Sequence, residues 1–258
     1  MIDKSIVYAI AATISSVLLV AIPSSIVNAA EITVLSVGAL RSLTTNLIPN
    51  FEKSTGHKVT IESGAAGAMA NRIQKGEVVD VGIVTTALIE GLVSQGKIVA
   101  GTQVTVARAG MGISARKGAG KLDIGSMDAF KRTLLAAKSL GHTDPASGAS
   151  SAIYAAKLLA GLDIAAELKP KIKTFASNAL LHEAIAKGDV ELGFGQKTEI
   201  LAEPRLEFIG PLPASVQNIS QFSAGVVSST KEPDAAKAFI NFLTSPAAAA
   251  VKKAKGFE

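Results

Sequence analysis

Short β-type segments alternate with amphipathic helical patterns along most of this chain, and the alternation constrains its fold more than any other feature. The first series has strand-like runs at Ile32–Ser36, Lys58–Ile61 and Val79–Val84, each followed by a helical pattern. Strands that are joined through helices pair in parallel, and the helices cover both faces of the sheet. The sequence therefore predicts an α/β fold.

The alternation is interrupted once and then resumes. Two β-type runs, Val104–Ala107 and Gly112–Ala115, meet at Ala109 and Gly110, which we interpret as a break between two strands. A second series of strands and helices starts with Ser126 as a helix cap and ends with a helix that Pro233 opens. Two series separated by an interruption predict two lobes, each with a mainly parallel sheet flanked by helices.

The first 29 residues have the pattern of a secretory signal peptide. Lys4 precedes the apolar run Ile6–Ile22, and Pro23 and the small residues around Ala29 follow it. An uncleaved membrane anchor is the alternative, because the run approaches the ~20 residues that span a bilayer. We expect cleavage, a soluble mature protein and a periplasmic location.

Composition excludes several functional classes. The 258 residues contain no Cys, which excludes disulfides, cysteine–zinc sites and thiol catalysis. The net charge of +5 is spread along the chain without a dense basic run, so nucleic-acid binding is not expected. His57, His142 and His182 have no metal-ligand spacing, and we expect them at the surface or as caps.

Three junctions between a predicted strand and a predicted helix are unusually small and polar. They are 37–42 (VGALRS), 63–67 (SGAAG) and 144–151 (DPASGASS). Small side chains let a ligand approach the backbone N–H groups, and the start of a helix favours anions. Tight turns and helix caps are the alternative explanation for the same residues. Three such junctions in a two-lobed pattern favour an anion-binding cleft.

Several segments resemble the molybdate-type substrate-binding proteins of ABC transporters. The opening run 32–40 (ITVLSVGAL), with 51–56 (FEKSTG) behind it, is similar to the start of that family. The stretch 67–84, Asp144-Pro145, the run 188–193 (GDVELG) and the closing 235–257 follow in the family's order. The resemblance covers essentially the whole mature chain.

This resemblance implies a two-lobed type II periplasmic-binding-protein fold. Lobe 1 would comprise 30–104 and 222–258, lobe 2 would comprise 105–221, and hinge segments would lie near 104–110 and 211–222. A monomer would capture a small anion between the lobes through backbone N–H groups and hydroxyls, without a metal or cofactor, and a membrane permease would recognise the closed form. The residues expected to contact the ligand are Ala39, Leu40, Arg41, Ala66, Gly67, Thr85, Ser147, Gly148, Ala149, Ser150 and Gln196.

Departures from the family pattern bear on the ligand. Molybdate receptors commonly have hydroxyl side chains where Ala39, Gly67 and Gln196 stand, so molybdate is disfavoured and a small organic anion fits at least as well. Ser42 is an alternative hydroxyl near Ala39. The function predicted is binding rather than catalysis. Two alternatives stay open, namely an extracytoplasmic hydrolase that uses a Ser with His142 as the base, and a ligand-sensing lobe for a membrane partner.

Overall fold

A computed structural model describes residues 29–258, so the predicted signal peptide lies outside the described residues except for Ala29. The strands are β1 (Glu31–Val37), β2 (Lys58–Gly64), β3 (Val81–Thr85), β4 (Val104–Arg116), β5 (Leu140–Thr143), β6 (Ile172–Phe175), β7 (Leu192–Gln196), β8 (Leu206–Pro211) and β9 (Ile219–Val226). The α-helices are α1 (Arg41–Thr55), α2 (Ala66–Gln74), α3 (Thr86–Ser94), α4 (Met127–Ala136), α5 (Ser150–Gly161), α6 (Ala165–Leu168), α7 (Asn178–Lys187), α8 (Lys197–Ala202), α9 (Pro233–Leu243) and α10 (Pro246–Ala254).

The strands form a mixed sheet in the order β2-β1-β3-β9-β4-β7-β5-β6, with β8 paired to β4. Pairing is parallel within β2-β1-β3 and within β7-β5-β6, as the alternation predicts. Strands β9, β4 and β8 add antiparallel pairs in the middle. The predicted α/β class is confirmed, and the antiparallel centre makes the sheet mixed.

The predicted break at Ala109 and Gly110 is wrong, because strand β4 continues through both residues and is 13 residues long. Ala109 is fully buried, and a Cβ atom on Gly110 would lie 3.2 Å from Ile219 Cδ1 and 3.5 Å from Gln217 Nε2. The two residues are small because neighbouring side chains pack against the strand, and the chain does not turn there.

β4 belongs to both halves of the sheet. Its residues 104–110 pair with β9, and residues 111–116 pair with β7 and β8. The buried apolar residues divide at the same point, since one core contains Ala109 together with Phe51 and another begins at Met111 and contains Phe130. The change falls at the end of the predicted hinge segment 104–110, whereas hinge motion and the lobe boundaries stay predictions.

Local signals explain how the helices are placed. Leu43, Leu47 and Phe51 lie on the buried face of α1, and Gly56 ends this helix with a φ of 78° that favours glycine. Pro233 is the first residue of α9, where its missing N–H leaves no bond unmade. None of the helices within residues 29–258 is long and apolar enough to cross a membrane.

Candidate functional site

A cleft of about 800 Å³ lies between the two halves of the sheet. Its walls include the first residues of α1 and α2 from one half and of α5, α7 and α8 from the other half. Parallel strands present their carboxyl ends and the following helix starts on one side of a sheet, and ligands of such folds bind there. The three junctions predicted from the sequence therefore meet at one cavity.

Most of the residues expected to contact a ligand lie in the wall of this cleft. They are Ala39, Arg41, Ala66, Ser147, Ala149, Ser150 and Gln196. Gly67 and Gly148 contact each other across the two halves, where the Gly67 N–H donates to the Gly148 carbonyl oxygen at 3.0 Å.

Leu40 and Thr85 lie elsewhere. The side chain of Leu40 is fully buried in the first core, and Thr85 precedes α3 outside the residues that line the cleft. Ligand contact by any of the eleven residues stays a prediction.

Of the five helices that start at the cleft, α1, α2, α5 and α8 lack a side-chain cap. The N-cap residues of α1, α2 and α5 are Leu40, Ala65 and Ala149, and none of them accepts a bond from the first turn through its side chain. The first N–H groups of a helix have no partner within the helix, and a capping side chain, water or a ligand must satisfy them. A bound anion is such a partner.

Ser42 is a second place in the cleft wall where a polar group has no partner within residues 29–258. Its Oγ atom is buried and has no hydrogen-bond partner among the described residues. Buried hydroxyls are normally hydrogen-bonded, so an unpartnered one beside a cleft indicates a place for a ligand atom or water. The sequence had indicated Ser42 as the alternative hydroxyl near Ala39.

Gln196 connects the cleft to the strands that pass between the two halves. With its amide oxygen accepting from Ser220 Oγ at 2.8 Å, the amide nitrogen donates to the carbonyl oxygens of Ala109 and Gly110, each at 3.2 Å. Gln196 is buried and ends β7. A ligand that contacts this residue would touch a group bonded to both β4 and β9.

Helix α8 contributes side chains that the sequence reading missed. Thr198 Oγ1 donates to the Ala39 carbonyl oxygen at 3.0 Å, and Glu199 lines the cleft together with Asn178. Burial raises the pKa of the Glu199 carboxyl above its ordinary value, while a hydrogen bond from Asn178 and the charge of Arg41 lower that pKa. The cleft thus contains an ionisable carboxyl as well as cationic groups.

The histidines are buried, which corrects the expectation that they lie at the surface. His57, His142 and His182 are 7%, 4% and 9% exposed. His57 stacks on Phe51 and its Nδ1 accepts from the Ala30 N–H at 3.1 Å, so the ring serves packing. His182 lines the cleft, and burial lowers its pKa. Within residues 29–258, no group of three His, Asp or Glu side chains is arranged to hold a metal ion.

Comparison with known proteins agrees with this architecture. The family model described as bacterial extracellular solute-binding protein matches residues 32–258. An aconitate isomerase from Pseudomonas sp is 31% identical over 232 residues, which are 84% of each chain. The molybdate-binding protein ModA from Azotobacter vinelandii is 28% identical over 233 residues, 89% of this chain and 90% of that protein.

Solved structures show the same fold. The periplasmic molybdate-binding protein of Azotobacter vinelandii superposes with a TM-score of 0.73 at 23% identity, covering 88% of this chain and 98% of that structure. The resemblance to molybdate-type binding proteins seen in the sequence is thereby confirmed. Because the family model spans nearly all of the described residues, the chain belongs to the bacterial extracellular solute-binding protein family.

Proposed function

We propose that this protein is an extracytoplasmic receptor that captures a small polycarboxylate anion in the cleft and presents it to the permease of an ABC importer. The observation that carries the proposal is the meeting of the starts of α1, α2 and α5, none of which has a side-chain cap, at one cavity that Arg41 also lines. Such groups favour anions, and a guanidinium group matches a carboxylate with two parallel hydrogen bonds.

The size and lining of the cleft favour a polycarboxylate over a tetrahedral oxyanion. Cavities of about 300–1,000 Å³ hold organic ligands, and this one is about 800 Å³. Ala39 and Ala66 line the cleft at positions where the resemblance to molybdate receptors implies hydroxyl donors. An unmet hydrogen bond to a charged group costs about 1.5–3 kcal/mol. A larger anion with several carboxylates can contact several helix starts at once. Unlike a tetrahedral oxyanion, it does not need all of its hydrogen-bond donors around a single position.

The relatives support an anionic ligand. The names of two of them refer to aconitate and to molybdate, and both of these are anions. Aconitate is an unsaturated tricarboxylate, so its three charges could pair with groups on both halves of the cleft. We therefore place polycarboxylates first among the candidate ligands and molybdate second.

A thermal-shift and calorimetry panel tests this proposal. The panel contains cis-aconitate, trans-aconitate, citrate, tricarballylate, molybdate and sulfate. We expect at least one polycarboxylate to raise the melting temperature and to compact the protein in solution scattering, because a ligand that prefers the closed form shifts the equilibrium toward it. Stabilisation by molybdate alone, or by none of the six anions, would contradict the proposal.

Arg41 offers a matched pair of variants. We expect Arg41→Gln to weaken polycarboxylate binding by about 1.5–3 kcal/mol, roughly tenfold or more, because one charge-assisted contact is lost. The control is Arg132→Gln, which removes the same charge from an exposed position on α4 outside the cleft wall. Equal affinity of the two variants would exclude a direct role for the Arg41 guanidinium.

Isomerisation of an unsaturated polycarboxylate is a second candidate function. It is favoured by the relative named aconitate isomerase and by the presence of an ionisable carboxyl, Glu199, in the cleft. Shifting a double bond requires a group that removes a proton from one carbon and returns it to another. Incubation with cis-aconitate in D2O, followed by NMR, tests this function, since turnover would form trans-aconitate and exchange carbon-bound hydrogen for deuterium. Unchanged spectra would exclude it for this substrate.

The hydrolase alternative receives no support from this geometry. The His142 ring is buried, its Nδ1 lies 2.8 Å from the Thr143 carbonyl oxygen, and His142 is not among the residues that line the cleft. A general base must lie within reach of the proton that it removes. Export, a monomeric state and the permease partner stay predictions.

A further inference from the structure

Glu199 extends from α8 into the space between the two halves of the protein. A Cβ atom on Gly38 would come within 2.9 Å of Glu199 Oε1, so this oxygen lies against the first turn after β1. The same turn leads into α1, where the Arg41 N–H donates to the Gly38 carbonyl oxygen and no side chain caps the helix. A ligand that occupies the cleft at the start of α1 therefore lies beside the Glu199 carboxyl.

The charges around the carboxyl do not outweigh the effect of its burial. Among the ion pairs of the described residues, none includes Glu199. Asn178 and Arg41 favour its charged form, but burial acts more strongly in the opposite direction and raises its pKa. Arg41 also donates to the Ser63 carbonyl oxygen at 3.3 Å, so its guanidinium is already partly engaged.

The other titratable groups of the cleft do not change this balance. His182, Glu203 and Lys255 line it as well. Burial lowers the pKa of His182, which favours the neutral ring, and Glu203 pairs with Arg205 at 2.8 Å. Lys255 follows α10, next to Gly256, which packs against α8, and its charge is not among the causes that shift the pKa of Glu199. An anion that enters this cleft would face a second negative charge if Glu199 were ionised, and two carboxylates that share a site cannot both ionise readily.

We propose that Glu199 is a neutral carboxylic acid in the ligand complex and donates its hydrogen to a ligand carboxylate, so that binding of a polycarboxylate takes up one proton at any pH at which the free protein has this carboxyl ionised. The inference rests on the proposed function, since it specifies how the cleft receives an anionic ligand. A hydrogen bond from O–H to a carboxylate oxygen is short and strong, and it replaces repulsion with attraction. Affinity would then fall as pH rises.

Calorimetric titration with cis-aconitate as the probe tests the proton uptake. Wild type, Glu199→Gln and Glu199→Ala are titrated from about pH 6 to about pH 9, each in two buffers with different ionisation enthalpies. As pH rises through the pKa of Glu199 in the free protein, we expect proton uptake by wild type to increase from near zero to about one, and above that pKa its affinity should fall about tenfold per pH unit. The amide of Glu199→Gln can still donate a hydrogen bond but cannot ionise. The pH dependence of its affinity therefore reflects the ionisation of the ligand alone, and it serves as the reference for wild type. Glu199→Ala should bind more weakly than Glu199→Gln.

A measurement without ligand tests the protonation state separately. The folded pKa of Glu199 lies above the ordinary value of 4.5, so the folded protein binds more protons than the unfolded chain, and stability decreases as pH rises through the folded pKa. Wild type should therefore lose stability relative to Glu199→Gln over that range. The control Glu90→Gln changes an exposed carboxyl on α3 and should follow wild type.

The outcomes separate the two proposals. If wild type and Glu199→Gln bind cis-aconitate with the same pH dependence of affinity and proton uptake, or if the stability difference between them is constant with pH, the neutral carboxyl is overturned and the receptor is left intact. Absence of binding by every anion of the panel overturns the receptor instead. Proton uptake that disappears in Glu199→Gln supports both proposals.

Discussion

Replacing Gly67 with alanine should open the cleft while leaving the fold intact. The Gly67 N–H donates to the Gly148 carbonyl oxygen at 3.0 Å, and this bond connects the two halves at the edge of the cleft. A Cβ atom at position 67 would lie 3.2 Å from both Cα and O of Gly148. These are backbone atoms, and Gly148 has a φ of 74°, so the loop cannot move aside freely. The two halves would have to separate by a few tenths of an ångström.

The magnitude follows from that one contact. Loss of a hydrogen bond removes about 0.5–1.5 kcal/mol from the closed form. A shift of about 1 kcal/mol changes the closed-to-open ratio by roughly fivefold, and the apparent affinity for a ligand of the closed form decreases by up to the same factor, most where the free protein is mainly open. Alanine also suits the first turn of α2 better than glycine, by up to about 1 kcal/mol, so resistance to denaturant should not decrease.

Gly91→Ala is the matched control for this prediction. Gly91 lies within α3, and a Cβ atom there would meet nothing within 4 Å. Small-angle scattering and ligand titration should show a more open, weaker-binding Gly67→Ala variant and an unchanged Gly91→Ala variant. If Gly67→Ala is as compact and binds as tightly as Gly91→Ala, the contact between Gly67 and Gly148 does not stabilise closure.

Three further predictions concern stability. Phe51→Ala should lower the free energy of unfolding in denaturant by about 3–5 kcal/mol, because Phe51 is fully buried and its ring packs on that of Phe239 at 5.1 Å between centroids; a loss below 1 kcal/mol would contradict this. Gly112→Ala should lower it by about 1–3 kcal/mol, since a Cβ atom would lie 2.3 Å from Phe208 Cε2 and 2.5 Å from the Gly210 carbonyl oxygen, and unchanged stability would show that the strands shift freely. Burial lowers the pKa of His182 below 6.5, so the unfolded chain binds more protons than the folded protein as pH falls. Wild type should therefore lose stability relative to His182→Gln below pH 6.5. Parallel stability profiles of the two proteins would show that burial does not lower this pKa.

Local signals were sufficient to predict much of the fold. Helix α7 has clear signals at both ends, because Ser177 caps its start through Oγ and Gly188 ends it with a φ of 87°. The buried face of α1 follows from the spacing of Leu43, Leu47 and Phe51. The turns at the cleft were also predictable, since a parallel α/β arrangement brings the carboxyl ends of strands together.

Other features depend on contacts between distant residues, and no local pattern reveals them. Helix α8 has only six residues, which is too short for a clear amphipathic period, so Thr198 and Glu199 were not recognised as cleft residues. The small residues Ala109 and Gly110 look like a turn, and only their packing against Ile219 and Gln217 shows that the strand continues. Predicting these two features requires the tertiary structure itself.

The position of α8 changes how the departures from the family pattern should be interpreted. Ala39 removes a hydroxyl from the first turn after β1, and counted alone this weakens an oxyanion site. Yet α8 carries a hydroxyl and a carboxyl from the opposite half to that same turn, where Thr198 Oγ1 donates to the Ala39 carbonyl oxygen and Glu199 Oε1 lies against Gly38. The polar groups there are therefore contributed across the cleft, and their arrangement depends on closure. On the proposed binding mode, the chemistry of Glu199 rather than the missing hydroxyl at position 39 should determine which anions are held.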